Sequence, residues 1–120
     1  MQSAAQAYRA VARQIANPRE LEADLLLKAA ARLKAVKDGW DGSQPDLGDA
    51  LLYNRKLWTI FLASVTASEN PLPTEIRQNV ANLGLFVMKQ TLATLANPRP
   101  EQLNSLININ CELAAGLLGR

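Results

Sequence analysis

Histidine is absent from this 120-residue chain, and cysteine occurs once, at Cys111. Without an imidazole there is no histidine general base, no Ser-His-Asp triad, no Cys-His dyad and no zinc site built on imidazole ligands. One cysteine cannot close an intrachain disulfide or assemble a multi-cysteine metal site, and a single thiol agrees with a reducing compartment. Aromatics are scarce, at 5% of residues, so the core must be built from Leu, Ala, Ile and Val. Ala and Leu lead the helix propensities while β-branched and aromatic residues favour strands, and the composition therefore points to helices. No run approaches the roughly 18 uncharged apolar residues of a membrane span. The start, Met1 to Arg9, lacks a basic segment followed by a long apolar one. It does not read as a secretory signal, and a cytoplasmic location away from the membrane is expected.

Apolar residues make up 48% and charged residues 20%, the balance of a globular chain large enough for one core. The formal net charge is +2, with basic residues spread from Arg9 to Arg120 and acids interleaved among most of them. A nucleic-acid binder ordinarily clusters its cations on one face, which this spacing does not do. The segment from Asp38 to Pro45 pairs aspartate with glycine twice, but it lacks the Asp-x-Asp-x-Asp-Gly spacing and distal Glu of a calcium loop. No metal, no cofactor and no enzymatic activity are expected.

Punctuation divides the chain into five expected helices. Ser3 to Ile15 carries Tyr8, Val11 and Ile15 at helical spacing. Asn17-Pro18-Arg19-Glu20 then offers a cap, a first-turn Pro and a Glu that reaches back, opening a second helix to about Lys37. Its predicted core face is Leu21, Leu25, Ala29, Leu33, Val36 and Trp40, with Glu20, Asp24 and Lys28 four apart as helical ion pairs. Asp46 is predicted to cap the third helix, whose stripe is Leu47, Ala50, Leu51, Asn54, Trp58, Phe61, Leu62 and Val65. Pro73-Thr74-Glu75 opens the fourth, with Ile76, Val80, Leu83, Val87 and Leu95 predicted inward and Ala81, Leu85, Met88 and Leu92 beside them. Asn97 to Glu101 is predicted to repeat the earlier capping chemistry. It precedes a fifth helix carrying Leu103, Leu106, Ile107, Asn110, Leu113, Ala114 and Leu117. Short connectors between amphipathic helices give an all-α fold, a compact bundle of about five helices forming one domain over 1–120. The second to fourth helices are expected to supply its body.

Asn54 and Asn110 interrupt apolar stripes, and each must find hydrogen-bond partners if buried, either within the bundle or in a binding groove. Trp58 falls on the core stripe, Arg55 on its edge and Lys56 on the far side. Apolar surface in excess of the core marks two candidate partner-binding patches, one of Tyr53, Leu57 and Ile60 and one of Leu85, Met88 and Leu92. Asn54, Arg55, Trp58 and Asn110 complete the set of candidate binding residues.

The ordered segments Ala7-Tyr8-Arg9-Ala10, Asn17 to Glu22, Ala50 to Trp58, Leu72-Pro73-x-x-Ile76-Arg77 and Leu106 to Asn110 resemble the FlaF family of flagellar biosynthesis proteins of alphaproteobacteria. The resemblance spans nearly the whole chain. Residues matching the family blocks are Tyr8, Pro18, Arg19, Glu20, Asn54, Arg55, Trp58, Pro73 and Asn110. It implies a cytoplasmic regulator that promotes flagellin synthesis and export, acting with FlbT and handling flagellin directly. Flagellin's terminal segments are amphipathic helices left unpaired before the filament assembles, and a helical protein with a spare groove could cover them. Two other classes are open at this point. One is a nucleic-acid-binding regulator of the flagellin message, using Arg55, Lys56, Arg32 or Lys89. The other is a helical subunit completed by FlbT or by a second copy.

Overall fold

A computed structural model describes Ala4, residues 18–42 and residues 44–119. Among the described residues there are four α-helices and one 3-10 turn, and no strand. They are α1 (Pro18–Asp38), α2 (Leu47–Thr66), α3 (Thr74–Ala96) and α4 (Leu103–Leu117), with the 3-10 turn at Pro100–Gln102. The all-α class holds, with four α-helices among the described residues where the sequence predicts about five over the whole chain. The expected helix over residues 3–15 and the cap at Asn17 lie outside the described residues. None of the four helices is long and apolar enough to cross a membrane.

The body of the molecule is α1, α2 and α4, with α1 packed most extensively on α4. α3 is set against α2 and touches α4 only slightly. This corrects the expectation that the second to fourth helices form the body. Small residues are the reason: Ala23, Ala29 and Ala30 are buried with Leu26 and Leu33 on α1, and their short side chains let the α4 backbone approach closely. The buried face of α1 is thus turned from the predicted one. Leu21 is exposed, and Leu25, Val36 and Trp40 are half-buried at the margin. Among the described residues Glu20, Asp24 and Lys28 close no ion pair; the pair on this helix is Lys34 with Asp38, 2.7 Å apart and solvent-facing. The Lys34 ammonium holds the Asp38 carboxyl below its usual range, chiefly by that hydrogen bond.

The stripe predicted on α2 is buried as expected, except that Leu62 is half-buried and Leu57 joins the interior. Asp46 occupies the cap position but makes no side-chain cap bond. Its backbone is helical, φ −93° and ψ −3°, and not in the extended region usual for a residue whose side chain caps the first-turn amides. The loop before it turns at Gly42, whose φ of 93° lies in the left-handed region that glycine tolerates.

The greatest difference lies on α3. Its buried positions are Val80, Gly84, Val87, Thr91 and Thr94, whereas Ile76, Leu83 and Leu95 of the predicted core face are exposed. α3 rests on α2 through its small side. A Cβ at Gly84 would stand 2.5 Å from Leu62 Cδ2 and 2.8 Å from its Cγ, so any side chain here requires Leu62 to move aside. Thr91 and Thr94 can be buried because their hydroxyls donate to the carbonyls one turn back, of Val87 at 2.7 Å and Gln90 at 2.8 Å. A reading that seeks the largest apolar side chains misses a face made of glycine, valine and threonine.

Side chains tie the connectors down. Asn70 Nδ2 donates to Ser64 O at 3.0 Å while its Oδ1 accepts the Leu72 N–H at 3.0 Å, and Arg77 Nη1 donates to Ala67 O at 3.1 Å. At the other end Asn97 closes α3 instead of opening the next helix. Pro98 and Pro100 explain this, since a residue before proline is pushed to extended backbone. Arg99 is extended, and its N–H donates to Gln102 Oε1 at 2.9 Å. The capping chemistry predicted for Asn97 to Glu101 is therefore replaced by an Arg99–Gln102 closure.

Candidate functional site

Three helices meet at a buried polar cluster. Trp58 Nε1 of α2 donates to Asn110 Oδ1 of α4 at 2.9 Å. Asn110 Nδ2 donates to Asn54 Oδ1 of α2 at 2.7 Å and to the Leu26 carbonyl of α1 at 3.3 Å. All three side chains are fully buried, and Asn54 Nδ2 has no partner. The Trp58 ring meets Phe61 edge-on, with centroids 5.8 Å apart. Here the chain spends its asparagines on fixing the register of three helices, because any slide would strand amide groups in an apolar interior. Asn54, Trp58 and Asn110 are out of reach of an outside partner, and so is Leu57, which is buried.

Tyr53 is half-buried at the α1–α2 seam, where the Arg32 guanidinium lies 4.6 Å from its ring centroid. A cation over the face of an aromatic ring is favourable, so both groups are engaged within the molecule. The patch predicted from Tyr53, Leu57 and Ile60 is thereby divided. Ile60 alone of the three is exposed, at 67%, and it joins Leu52, Arg55, Lys56 and Thr59 around an open depression on the outer side of α2. Leu52 was not singled out by the sequence; its heptad spacing from Thr59 is the signal that would have found it.

The second predicted patch keeps its place on the surface. Leu85 is 59% exposed and Leu92 61%, with Met88 half-buried between them. Helical geometry relates this strip to α2. Gly84 faces Leu62, while Thr66 and Ala81 line one shallow pocket with Val65, Thr74, Arg77 and Gln78, so the two helices run antiparallel. Stepping seven residues back from Thr66 gives Thr59 and Leu52 on the same stripe. Stepping forward from Ala81 by fours and threes gives Leu85, Met88, Leu92 and Leu95. Leu52, Thr59 and Thr66 thus come onto the same side of the hairpin as Ala81, Leu85, Met88, Leu92 and Leu95. The strip is about 21 Å long at 1.5 Å per residue, the length of roughly four helical turns. Ile76, Leu83 and Phe86 are exposed on the other flank of α3.

Among the described residues, the strip brings together no nucleophile with a base. The chain matches the model of the flagellar protein FlaF over residues 4–117, nearly its full length. The chain belongs to the FlaF family. No curated protein and no solved structure matches it. Of the residues carrying the FlaF resemblance, Asn54, Trp58 and Asn110 form the interior cluster and Arg55 is exposed at the rim of the strip. The FlaF blocks most visible in the sequence are in this chain chiefly what holds α1, α2 and α4 together.

Proposed function

We propose that this FlaF-family protein is a non-enzymatic, cytoplasmic flagellar regulator that binds flagellin directly before export and acts together with FlbT. The observation that carries the reading is the apolar strip of α2 and α3, where Leu52, Leu85, Leu92 and Leu95 stand exposed side by side. Large exposed apolar patches are uncommon on monomers and mark surfaces that receive another chain. The terminal helices of unassembled flagellin have the complementary form, an apolar stripe without a partner. Laying one stripe along the other removes both from water, which keeps flagellin soluble and couples its production to its removal by export. Met88 supports the reading as well, because its flexible thioether adapts to varied apolar neighbours. The second apolar flank, Ile76, Leu83 and Phe86, offers a separate place for FlbT to engage.

Purified protein mixed with flagellin monomer at micromolar concentration is expected to co-elute at one-to-one stoichiometry on size-exclusion chromatography. Leu85→Ser with Leu92→Ser should abolish co-elution and leave the far-UV circular dichroism unchanged, because both side chains already face solvent. Separate elution of the wild-type proteins would exclude the flagellin reading.

A further inference from the structure

The strip is not only apolar. Besides the half-buried Arg77 at one end, which bonds the Ala67 carbonyl, its cations are Arg55 and Lys56 on α2 and Lys89 on α3, all three exposed and none within ion-pairing distance of an acid among the described residues. The facing of Gly84 and Leu62 sets the register of the hairpin, and it brings Lys56 level with Gln90, one residue beyond Lys89. Arg55, Lys56 and Lys89 therefore stand at one level, with Lys56 on one rim and Lys89 on the other. The acids of the two helices are Asp49 and Glu75, each in the first turn of its own helix. In an antiparallel pair those first turns lie at opposite ends, so the middle of the strip is cationic and its acids are remote.

We infer that the strip selects an amphipathic helix whose apolar stripe is flanked by carboxylates at the level of Arg55, Lys56 and Lys89. The inference rests on the reading of this surface as a protein-binding face and adds the chemistry of its occupant. Apolar contact alone is indifferent to direction and register. Three cations at a single level are not, because an acidic flank is attracted only when it sits opposite them, and a basic flank is repelled. The apolar leucines supply the burial, and the cations decide which helix is accepted and where it stops sliding.

The probes are two synthetic helical peptides of about 18 residues. They share a leucine stripe at three- and four-residue spacing and differ only in carrying Glu or Lys beside it. Titrated against the full chain at about 50 mM salt, the Glu peptide is expected to bind at least about tenfold more tightly, and the preference should shrink at about 500 mM salt, where charges are screened. The Arg55→Glu, Lys56→Glu, Lys89→Glu variant should invert the preference. Its exposed substitutions are checked by an unchanged melting temperature, and the salt series on the unaltered chain needs no variant. Equal binding of the two peptides, preference for the Lys peptide, binding of neither, or displacement of the Glu peptide by an RNA oligonucleotide would each overturn the inference. The flagellin reading fails separately. Flagellin that binds while the peptides are not distinguished removes the charge selection alone, and peptides that are distinguished while flagellin does not bind remove flagellin alone.

Discussion

Asn110 makes three bonds from one amide, to Trp58, Asn54 and the Leu26 carbonyl, and each joins it to another helix. Asn110→Ala removes all of them and leaves the Trp58 indole N–H and the Asn54 amide oxygen buried without partners, while the Leu26 carbonyl keeps its bond within α1. The expected loss is about 3 kcal/mol by urea unfolding, since an orphaned buried group costs about 1–3 kcal/mol. Trp58→Phe deletes the indole donor and keeps an aromatic ring, and should cost less, about 1–2 kcal/mol. A titrating group offers a second test. Burial raises the Glu22 carboxyl above its ordinary value, against the smaller opposing pull of Arg19. An acid whose folded pKa is raised binds its proton more tightly in the folded state, so stability falls as pH climbs from the unfolded value through the raised one. Glu22→Gln should therefore stabilise the chain at pH 7 and be neutral below both values, which paired melting curves at neutral and acid pH will show.

At the scale of elements, the inward faces of α2 and α4 were legible in the sequence, whereas α3 was legible in its bounds and in Val80 and Val87 but not in the rest of its inward face. The α2 stripe reads correctly because its inward residues are also its largest apolar ones, Leu51, Trp58 and Phe61 among them. On α3 the inward residues include Gly84, Thr91 and Thr94 beside Val80 and Val87, and the large apolar side chains of the flanking arc, Leu85, Met88 and Leu92, lie about a quarter turn or more away from them. The same displacement exposes the leucines of the strip. Gly84→Leu tests the packing directly, because a bulky side chain there collides with Leu62. It should lift α3 from α2, seen as faster hydrogen exchange over Leu83–Thr91, while the amides around Asn110 keep their protection. Leu92→Ser, by contrast, is expected to change stability by no more than about 0.5 kcal/mol, as for other exposed substitutions.

For the whole molecule, three helices locked by a polar cluster carry a fourth that presents apolar surface to the outside. Such a division allows the outer helix to meet a partner without loosening the interior. If flagellin lies along the strip, its addition should slow hydrogen exchange across Leu83–Leu95 and leave Leu103–Ala114 unchanged. Protection confined to α1 and α4 would place the contact elsewhere.

Composition, helical periodicity and the proline breaks were enough to determine an all-α chain, most of its helix boundaries and, through the ordered blocks, its FlaF membership. These are properties of neighbouring residues, and neighbours are what a sequence records. Which residues of α1 and α3 turn inward was decided only by tertiary packing. Burial depends on how closely two backbones approach, and that depends on small residues such as Ala23, Ala30 and Gly84, whose value lies in the space they leave for another helix.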